Sequence, residues 1–598
     1  LKAKSQTQEI EHFTHQRLPN ESSLQFKKSR LRLVSFAFFM TFLALLVRAG
    51  LILITPPSAD VLSQLAQRQY HRSIDLSPYR GTIFDRRGEP LAISIRKPSL
   101  FINPRVFDPS PTETKALGKI LDIPPNRIRK AGQKRSYFSW IKRKIDSKLA
   151  DQAMALNIDG LHSVLEPSRY YPSGLASQLI GYVGTDNKGL LGLELRFDET
   201  LRGNSETNLL TRDARGKIIR GESDAAEPQK PGQKIYLTLD RVVQEISEKA
   251  LERGIKNAEA KSGFAIVSDP HTGHILAIAN YPKFNPNDSS TIDQFNTRNH
   301  GLMDLYEPGS VVKPFVVARA LALGKTSMAE AFETHKGLFR EGSLRIRDSH
   351  PSEELSTAEI IIESSNIGTY KIAKKMGPQA LYQVYEDFGL GEAAFKTEAA
   401  NQAAGRMMPW QKWREVRFAN ISFGQGLMMT GLEIVQAYGA IANGGQLMKP
   451  ILVERIEDHK GQVLRSQNPT VIRRVLPHRV AKVMSKTLAE VVEVGTGSNA
   501  KSSDYHVAGK TGTSEKVDPE TRRYAKHLRI ASFAGFSPVK DPHLVIYVVI
   551  DEPRKKPYYG GVWAAPVFKE INEKSLRYLN VAPSKRHQAT QPLKKAIH

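Results

Sequence analysis

Cysteine is missing from all 598 residues, which removes disulfides, thiol catalysis and cysteine-ligated zinc or iron–sulfur sites. The absence suits an oxidising compartment without fixing one. Acidic residues are short: 61 Asp+Glu stand against 86 Lys+Arg, a net charge of +25. Such an excess draws a chain to nucleic acid, to an anionic membrane or to an anionic polymer. Helix-turn-helix cues, zinc-finger spacing and RNA-binding aromatic-plus-basic strands are all lacking, and the charge is spread along the whole chain. Nucleic acid is therefore not expected as a partner. What is present, 40% hydrophobic and 25% charged residues, describes a folded protein, long enough for two or more domains.

Long apolar runs are also scarce. Leu33–Ile54 (LVSFAFFMTFLALLVRAGLILI) has 22 residues and one charge, Arg48. At about 1.5 Å per residue it spans a hydrocarbon core of about 30 Å. Arg48 lies near its outer end, where a long side chain can snorkel. Lys27, Lys28, Arg30 and Arg32 precede it, so the positive-inside rule places the N-terminus in the cytoplasm and the rest outside. A small-x-small cleavage site is lacking and the apolar run resumes after Arg48, which favours an uncleaved anchor over a signal peptide. Residues 1–26, polar and without periodicity, read as a flexible tail.

From Thr55 to about Gly232 short strand-like runs alternate with turn clusters, around a charge-rich, helix-like segment at Ser136–Leu156. Nothing in this half assembles a catalytic set. Pro228–Gly232 is a polar break, Lys234–Leu239 (KIYLTL) a strand, and Asp240 the N-cap of a helix running to about Gly254. Gly263–Ser268 and His274–Ala279 flank a turn cluster and form a hairpin. After a helix-rich middle, strands return at Ile530–Phe536 and Leu544–Ile550, the latter (LVIYVVI) apolar enough to be central. Strands, helices, then strands imply an α+β domain with one mainly antiparallel sheet. The basic tail after Asn580 is expected to be disordered.

Three short motifs carry candidate chemistry. In Glu307-Pro308-Gly309-Ser310-Val311-Val312-Lys313, a breaker opens a helix whose i and i+3 residues, Ser310 and Lys313, share a face. A serine hydroxyl needs a neighbour to take its proton, and a lysine can do so when burial or nearby cations lower its pKa. The spacing alone is weak: Ser94, Ser139, Ser498 and Ser537 also have Lys at the third position. Ser364, 54 residues on (364 − 310), begins Ser-x-Asn with Asn366, a spacing matched by Ser466. Glu363, beside it, could be a surface carboxylate or a cap. Lys510-Thr511-Gly512-Thr513 has no second copy. Gly509-Lys510-Thr511 could end a nucleotide-binding P-loop, but that loop needs Gly where Asp504 stands and a buried strand where SSDYHV stands.

Ser-x-x-Lys, Ser-x-Asn and Lys-Thr-Gly in this order resemble the penicillin-recognising serine enzymes. The flanking runs resemble one branch, the class B high-molecular-mass penicillin-binding proteins, from about Leu33 to Phe568. They are RGTIFDRRGEPLA (Arg80–Ala92), RYYPSGLASQLIGYVG (Arg169–Gly184), GLLGLE (Gly189–Glu194), EPGSVVKPF (Glu307–Phe315), SFGQG (Ser422–Gly426) and YYGGVWAAPVF (Tyr558–Phe568). EPGS…KPF and YYGG…AAPVF resemble the septal, division-type members more than the elongation type, which usually carries Tyr-Pro-Pro-Gly-Ser at the serine corresponding to Ser310; Trp563 interrupts the last run where a small or β-branched residue is expected. A soluble β-lactamase explains neither the anchor nor the long N-terminal half. A penicillin-binding sensor, acylated without turnover, uses the same motifs, but usually adds membrane or signalling segments.

The resemblance implies a cytoplasmic tail (1–32), an anchor (33–54), a mixed α/β non-catalytic pedestal (55–232), a serine β-lactamase-like transpeptidase domain (233–580) and a flexible tail (581–598). The expected setting is the bacterial inner membrane, with the catalytic domain in the periplasm. It implies a D,D-transpeptidase that joins peptidoglycan stem peptides through an acyl-enzyme, needs no metal or cofactor, and is trapped by β-lactams. Lys313 would deprotonate Ser310, Ser364 would pass the proton to the departing D-alanine, and Asn366 would hold the donor's amide. Lys510, Thr511 and Thr513 would take its carboxylate, with Gly512 between them, and the N–H groups of Ser310 and Thr513 would stabilise the oxyanion. Expected partners are a polytopic, SEDS-type lipid II glycosyltransferase and divisome membrane proteins.

Overall fold

The structure, a computed structural model, describes residues 21–54, 71–73, 78–203, 209–211, 231–393, 398, 402–518 and 520–585. They fall into two units. The first holds helix α1 (Glu21–Ile54) and an antiparallel pair, His71–Ser73 with Leu209–Thr211. Within α1, the 22 residues Arg30–Leu51 are long and apolar enough to cross a membrane. Thr41 Oγ1 donates back to Ala37 O at 2.8 Å, so its hydroxyl is satisfied inside the helix. The tail expected through residue 26 is overtaken by this helix, which starts at Glu21 and carries the basic cluster. Glu, Leu, Gln, Lys and Arg are good helix formers, so the helix extends beyond its apolar part. Residues 1–20 lie outside the described residues.

Among its described residues the second unit contains two large sheets and four two-stranded pairs. Seven strands form the first, in the order β9 (Val463–Ser466), β8 (Val453–Glu457), β5 (Lys234–Leu237), β1 (Ile83–Phe84), β2 (Pro90–Ile102) and β3 (Ser139–Lys142), with β4 (Leu161–Tyr170) also on β2. Only β1 and β5 run parallel. The helix expected over Ser136–Leu156 is instead β3 followed by a helix at Ser147–Met154. Burial alternates along Ser139-Trp140-Ile141-Lys142, a period of two that aromatic and β-branched residues favour.

Three distant runs of the N-terminal half meet through buried ion pairs. Glu194 accepts from Arg80 at 2.9 Å and from Arg169 at 2.6 Å, and Asp198 takes Arg80 at 2.6 Å. The Arg80 and Glu194 side chains are wholly buried. Glu194→Ala would leave the buried Arg169 without its carboxylate and Arg80 with Asp198 alone, at a cost of about 3–5 kcal/mol. It should lower the thermal unfolding midpoint clearly, and an unchanged midpoint would remove this knot from the account of stability.

The second sheet has five antiparallel strands in the order β10 (Ala508–Val517), β11 (Tyr524–Ser537), β12 (Leu544–Asp551), β6 (Ser262–Ser268) and β7 (Ile275–Tyr281). The apolar β12 is central, and β10 is an edge. Helices α3 (Arg241–Ala258) and α6 (Gly560–Tyr578) cover one face, burying Val243, Leu251, Val548 and Phe568. The helical middle of the chain covers the other, burying Phe264, Val311, Phe315 and Tyr547. This is the expected α+β architecture.

Asp240 caps α3, accepting from Val242 N and Val243 N. The helix runs through Gly254 to Ala258: a Cβ at 254 would stand 2.3 Å from Val567 Cγ2, so this glycine permits close helix packing and is no stop signal. The tail expected after Asn580 is anchored at its start, where Lys585 Nζ reaches Glu493 Oε1 at 2.7 Å. Residues 586–598 and Pro228–Lys230 of the expected break lie outside the described residues.

Candidate active site

Ser310 lies in a single 3-10 turn, Gly309–Val312, and α4 (Lys313–Ala322) follows directly. Pro314 falls in the first turn of α4, where its missing N–H costs nothing. Ser310 is half-buried, whereas Lys313 is fully buried. Among the described residues no hydrogen bond joins the two side chains. Lys313 Nζ instead donates to the Ser364 carbonyl and lies 3.3 Å from Ser364 Oγ. The spacing puts both residues on one side of the turn, but the lysine stem runs inward to the second motif.

The other Ser-x-x-Lys matches fail for local reasons. Ser94 and Ser139 are on strands β2 and β3, where residues three apart face opposite sides. Ser537 ends β11, and Lys501, three after Ser498, pairs with Glu493 at 2.6 Å.

Ser364 has φ +62°, a left-handed conformation rare outside glycine that turns the chain toward Lys313. Ser365 caps α5 (Asn366–Met376), accepting from Gly368 N at 2.9 Å. Asn366 Nδ2 donates to Arg347 O at 2.8 Å. Asp348, which no motif marked, fastens the loop: it accepts from Ser365 Oγ and Asn366 N, both at 2.6 Å, and from Ile367 N at 3.1 Å. Asp348→Ala would leave three donors without this acceptor. It should cost about 1–3 kcal/mol, read as a lower unfolding midpoint with slower covalent capture at Ser310. Asp348→Asn, with one oxygen left, should fall between. Parent-like values for both variants would discount the clamp.

Lys510, Thr511, Gly512 and Thr513 sit on edge strand β10. The turn bearing Ser310 presses against it: a Cβ at Gly512 would stand 2.9 Å from Val311 Cγ1 and 3.1 Å from Pro308 O. Only glycine lets the Ser310 turn and the strand approach this closely. Behind the turn, Gly309 N donates to Gly424 O at 3.0 Å, and Glu307 Oε1 accepts from Gly426 N at 2.9 Å and Tyr524 Oη at 2.8 Å. SFGQG thus braces EPGS.

Thr513 Oγ1 accepts from Gly560 N at 3.2 Å, which turns the positive end of the α6 dipole toward the strand. Lys510 Nζ lies 3.4 Å from Thr511 Oγ1 and 3.5 Å from Thr496 Oγ1, and the two threonine hydroxyls are 3.0 Å apart. Lysine, hydroxyls and a helix N-terminus make an anion receptor. No sequence motif marks Thr496, which lies in the turn-like Gly495-Thr496-Gly497. Trp563 acquires a structural account: its indole N–H donates to Pro557 O at 2.9 Å and Lys555 O at 3.3 Å, tying down the segment before α6.

Burial sets the electrostatics. It lowers the Lys313 pKa to about 7, against a smaller upward pull from Asp348. Lys510 is pushed down by burial first and then by the Lys313 charge, with Glu363 opposing. Two lysine side chains therefore share one desolvated site, where a charge on one disfavours a charge on the other.

Residues 263–573 match the penicillin-binding protein transpeptidase domain, and residues 75–237 the penicillin-binding protein dimerisation domain. The probable peptidoglycan D,D-transpeptidase PenA of Neisseria meningitidis is 34% identical over 577 residues, 95% of this chain and 96% of that protein. Stage V sporulation protein D of Bacillus subtilis is 32% identical, covering 93% and 87%. Peptidoglycan D,D-transpeptidase FtsI of Escherichia coli is 31% identical, covering 88% of each chain. The crystal structure of penicillin-binding protein 3 from Mycobacterium tuberculosis, complexed with aztreonam, superposes with a TM-score of 0.66 at 25% identity, over 85% of this chain and 98% of that one.

Proposed function

Because the chain belongs to the class B penicillin-binding proteins and is a peptidoglycan D,D-transpeptidase, we propose that Ser310 performs its acyl transfer with Lys313 as base, in the service of septal wall synthesis. The observation that carries the site is the buried Lys313 ammonium, near neutrality in pKa and in contact with Ser364, at the base of a turn packed on the Lys510–Thr513 strand.

The donor is a stem peptide ending in D-Ala-D-Ala. Its carboxylate enters among Lys510, Thr511 and Thr513, and Asn366 Oδ1 receives the peptide N–H. A carboxylate there favours the protonated form of Lys510, and that charge in turn favours neutral Lys313. Ser310 Oγ gives its proton to Lys313 and bonds to the penultimate carbonyl carbon. The oxyanion is held by the Ser310 and Thr513 N–H groups. As the oxyanion collapses, the C–N bond breaks and D-alanine leaves with a proton relayed from Lys313 through Ser364 Oγ. An amine from a neighbouring stem then attacks the ester carbon and gives a proton to Lys313; the bond from that carbon to Ser310 Oγ breaks, Lys313 passes the proton to Ser310 Oγ, and the cross-link is made.

The septal assignment draws on the EPGS and YYGG runs and on the FtsI relative. The Arg30–Leu51 span and its flanking basic residues support a single-pass inner-membrane anchor with the catalytic domain in the periplasm. Divisome membrane proteins and a SEDS-type glycosyltransferase are the partners this reading assigns. The decisive experiment supplies lipid-II-derived strands and an amine acceptor, then measures D-alanine release and cross-linked dimer. Covalent penicillin capture without either product would make the chain a sensor. Side-wall localisation of a fluorescent fusion would replace the septal role with an elongation one.

A further inference from the structure

The even spread of charge conceals one concentration. Residues 127–148 hold nine Lys and Arg against a single acid, Asp146. They belong to a small subdomain with its own core, built on Leu100, Leu117, Ile128 and Ile141. There a cleft of about 220 Å3 opens to solvent between helix α2 (Pro125–Gly132) and strand β3. Ile123 and Ile128 form part of its floor, Trp140 is a wall, and Arg127, Lys130 and Lys134 stand at its rim. Arg143 stacks 4.8 Å from the Trp140 ring centroid and pairs with Glu166 and Asp186. Phe101 and Phe138 hold the indole edge-on. Among the described residues, Arg127, Lys130 and Lys134 have no carboxylate partner, and all three are exposed.

We propose that this cleft is a second, non-catalytic site that docks an anionic glycan, with a sugar ring against Trp140 and carboxylates on the three rim cations. An unneutralised cluster of cations attracts polyanions. An aromatic wall over an apolar floor adds a flat surface suited to a pyranose ring, as in small-ligand clefts generally. An anionic membrane surface is the weaker fit, because interfacial binding needs exposed apolar side chains to insert. Among the described residues of 124–148 no large hydrophobic side chain is exposed. The choice of a carboxylated cell-wall strand rests on the transpeptidase reading; the cleft itself does not.

The test uses the full chain in detergent, with Ser310 first blocked by benzylpenicillin so that the donor site is closed. Tagged, soluble, uncross-linked peptidoglycan strands are titrated by fluorescence anisotropy at rising salt. The parent should bind, less tightly as salt rises. Arg127→Ala/Lys130→Ala/Lys134→Ala should bind about tenfold or more weakly, with its unfolding midpoint and penicillin acylation rate unchanged. Strands with amidated carboxylates should lose affinity to a similar extent. Parent-like binding by the triple variant, or equal binding of amidated strands, overturns the proposal. So does binding to phosphatidylglycerol vesicles without binding to strands. If penicillin fails to acylate Ser310, the catalytic reading falls while strand binding remains measurable.

Discussion

Replacing Ser310 with alanine is expected to abolish covalent capture of penicillin while leaving the thermal unfolding of the chain unchanged. The side chain is half-buried and makes no hydrogen bond among the described residues, so losing one oxygen should move stability by no more than about 0.5 kcal/mol. The chemical consequence is of another order. An acyl-enzyme needs a hydroxyl at the mouth of the oxyanion site, and loss of a serine nucleophile costs about 10⁴-fold or more in acyl-transfer enzymes. Ser364 is no substitute, since its backbone is fixed in the left-handed region and its hydroxyl faces Lys313. Fluorescent penicillin on a denaturing gel, checked by intact mass, reads the result. Full labelling of a folded Ser310→Ala protein would move the nucleophile elsewhere.

Lys313 should give the second largest effect and a pH signature. Lys313→Ala is expected to slow acylation about 10²–10⁴-fold, the usual worth of a positioned general base. Lys313→Arg should do no better, because a guanidinium stays protonated at every usable pH. In the parent, only the neutral amine can accept the Ser310 proton. With a pKa of about 7, the acylation rate should fall about tenfold per unit below that pH and level off above it. A flat profile, or normal acylation by Lys313→Ala, would remove this lysine from the base role. The same shift bears on folding. Unfolded lysine titrates near about 10.4, so between about 7 and 10 the unfolded chain binds the extra proton and stability rises with pH. Below about 7 both states are protonated and the contribution is constant.

The sequence revealed some features much better than others, for physical reasons. Strands with continuous apolar runs, such as Leu544–Asp551, and a helix with an Asp cap, such as the one at Arg241, announce themselves through local patterns. Ser136–Leu156 did not, because its many charges masked the alternation along Ser139–Lys142. Gly254 misled because a glycine needed for packing has the same letter as one needed for a stop. At the site, the turn of Ser310 packs on the Lys510–Thr513 strand, and Lys313 reaches the loop of Ser364. The contact between Ser310 and Lys313 read from their spacing is replaced by one from Lys313 to Ser364, since helical spacing fixes a side and not where a long side chain ends. Asp348 and Thr496 were invisible because each acts through backbone or hydroxyl groups brought close only by folding.

The strand at Lys234–Leu237 pairs in parallel with Ile83–Phe84 on one side and antiparallel with Val453–Glu457 on the other. Anyone wishing to express the catalytic part alone, by starting the chain just after residue 232, would be cutting through a sheet. The fragment would retain β5, β8 and β9 but expose on β5 a bare row of amide and carbonyl groups, ready to pair with the same edge of another copy. Starting upstream of Arg80, so that β1 and its arginine accompany the fragment, is the way to keep it soluble.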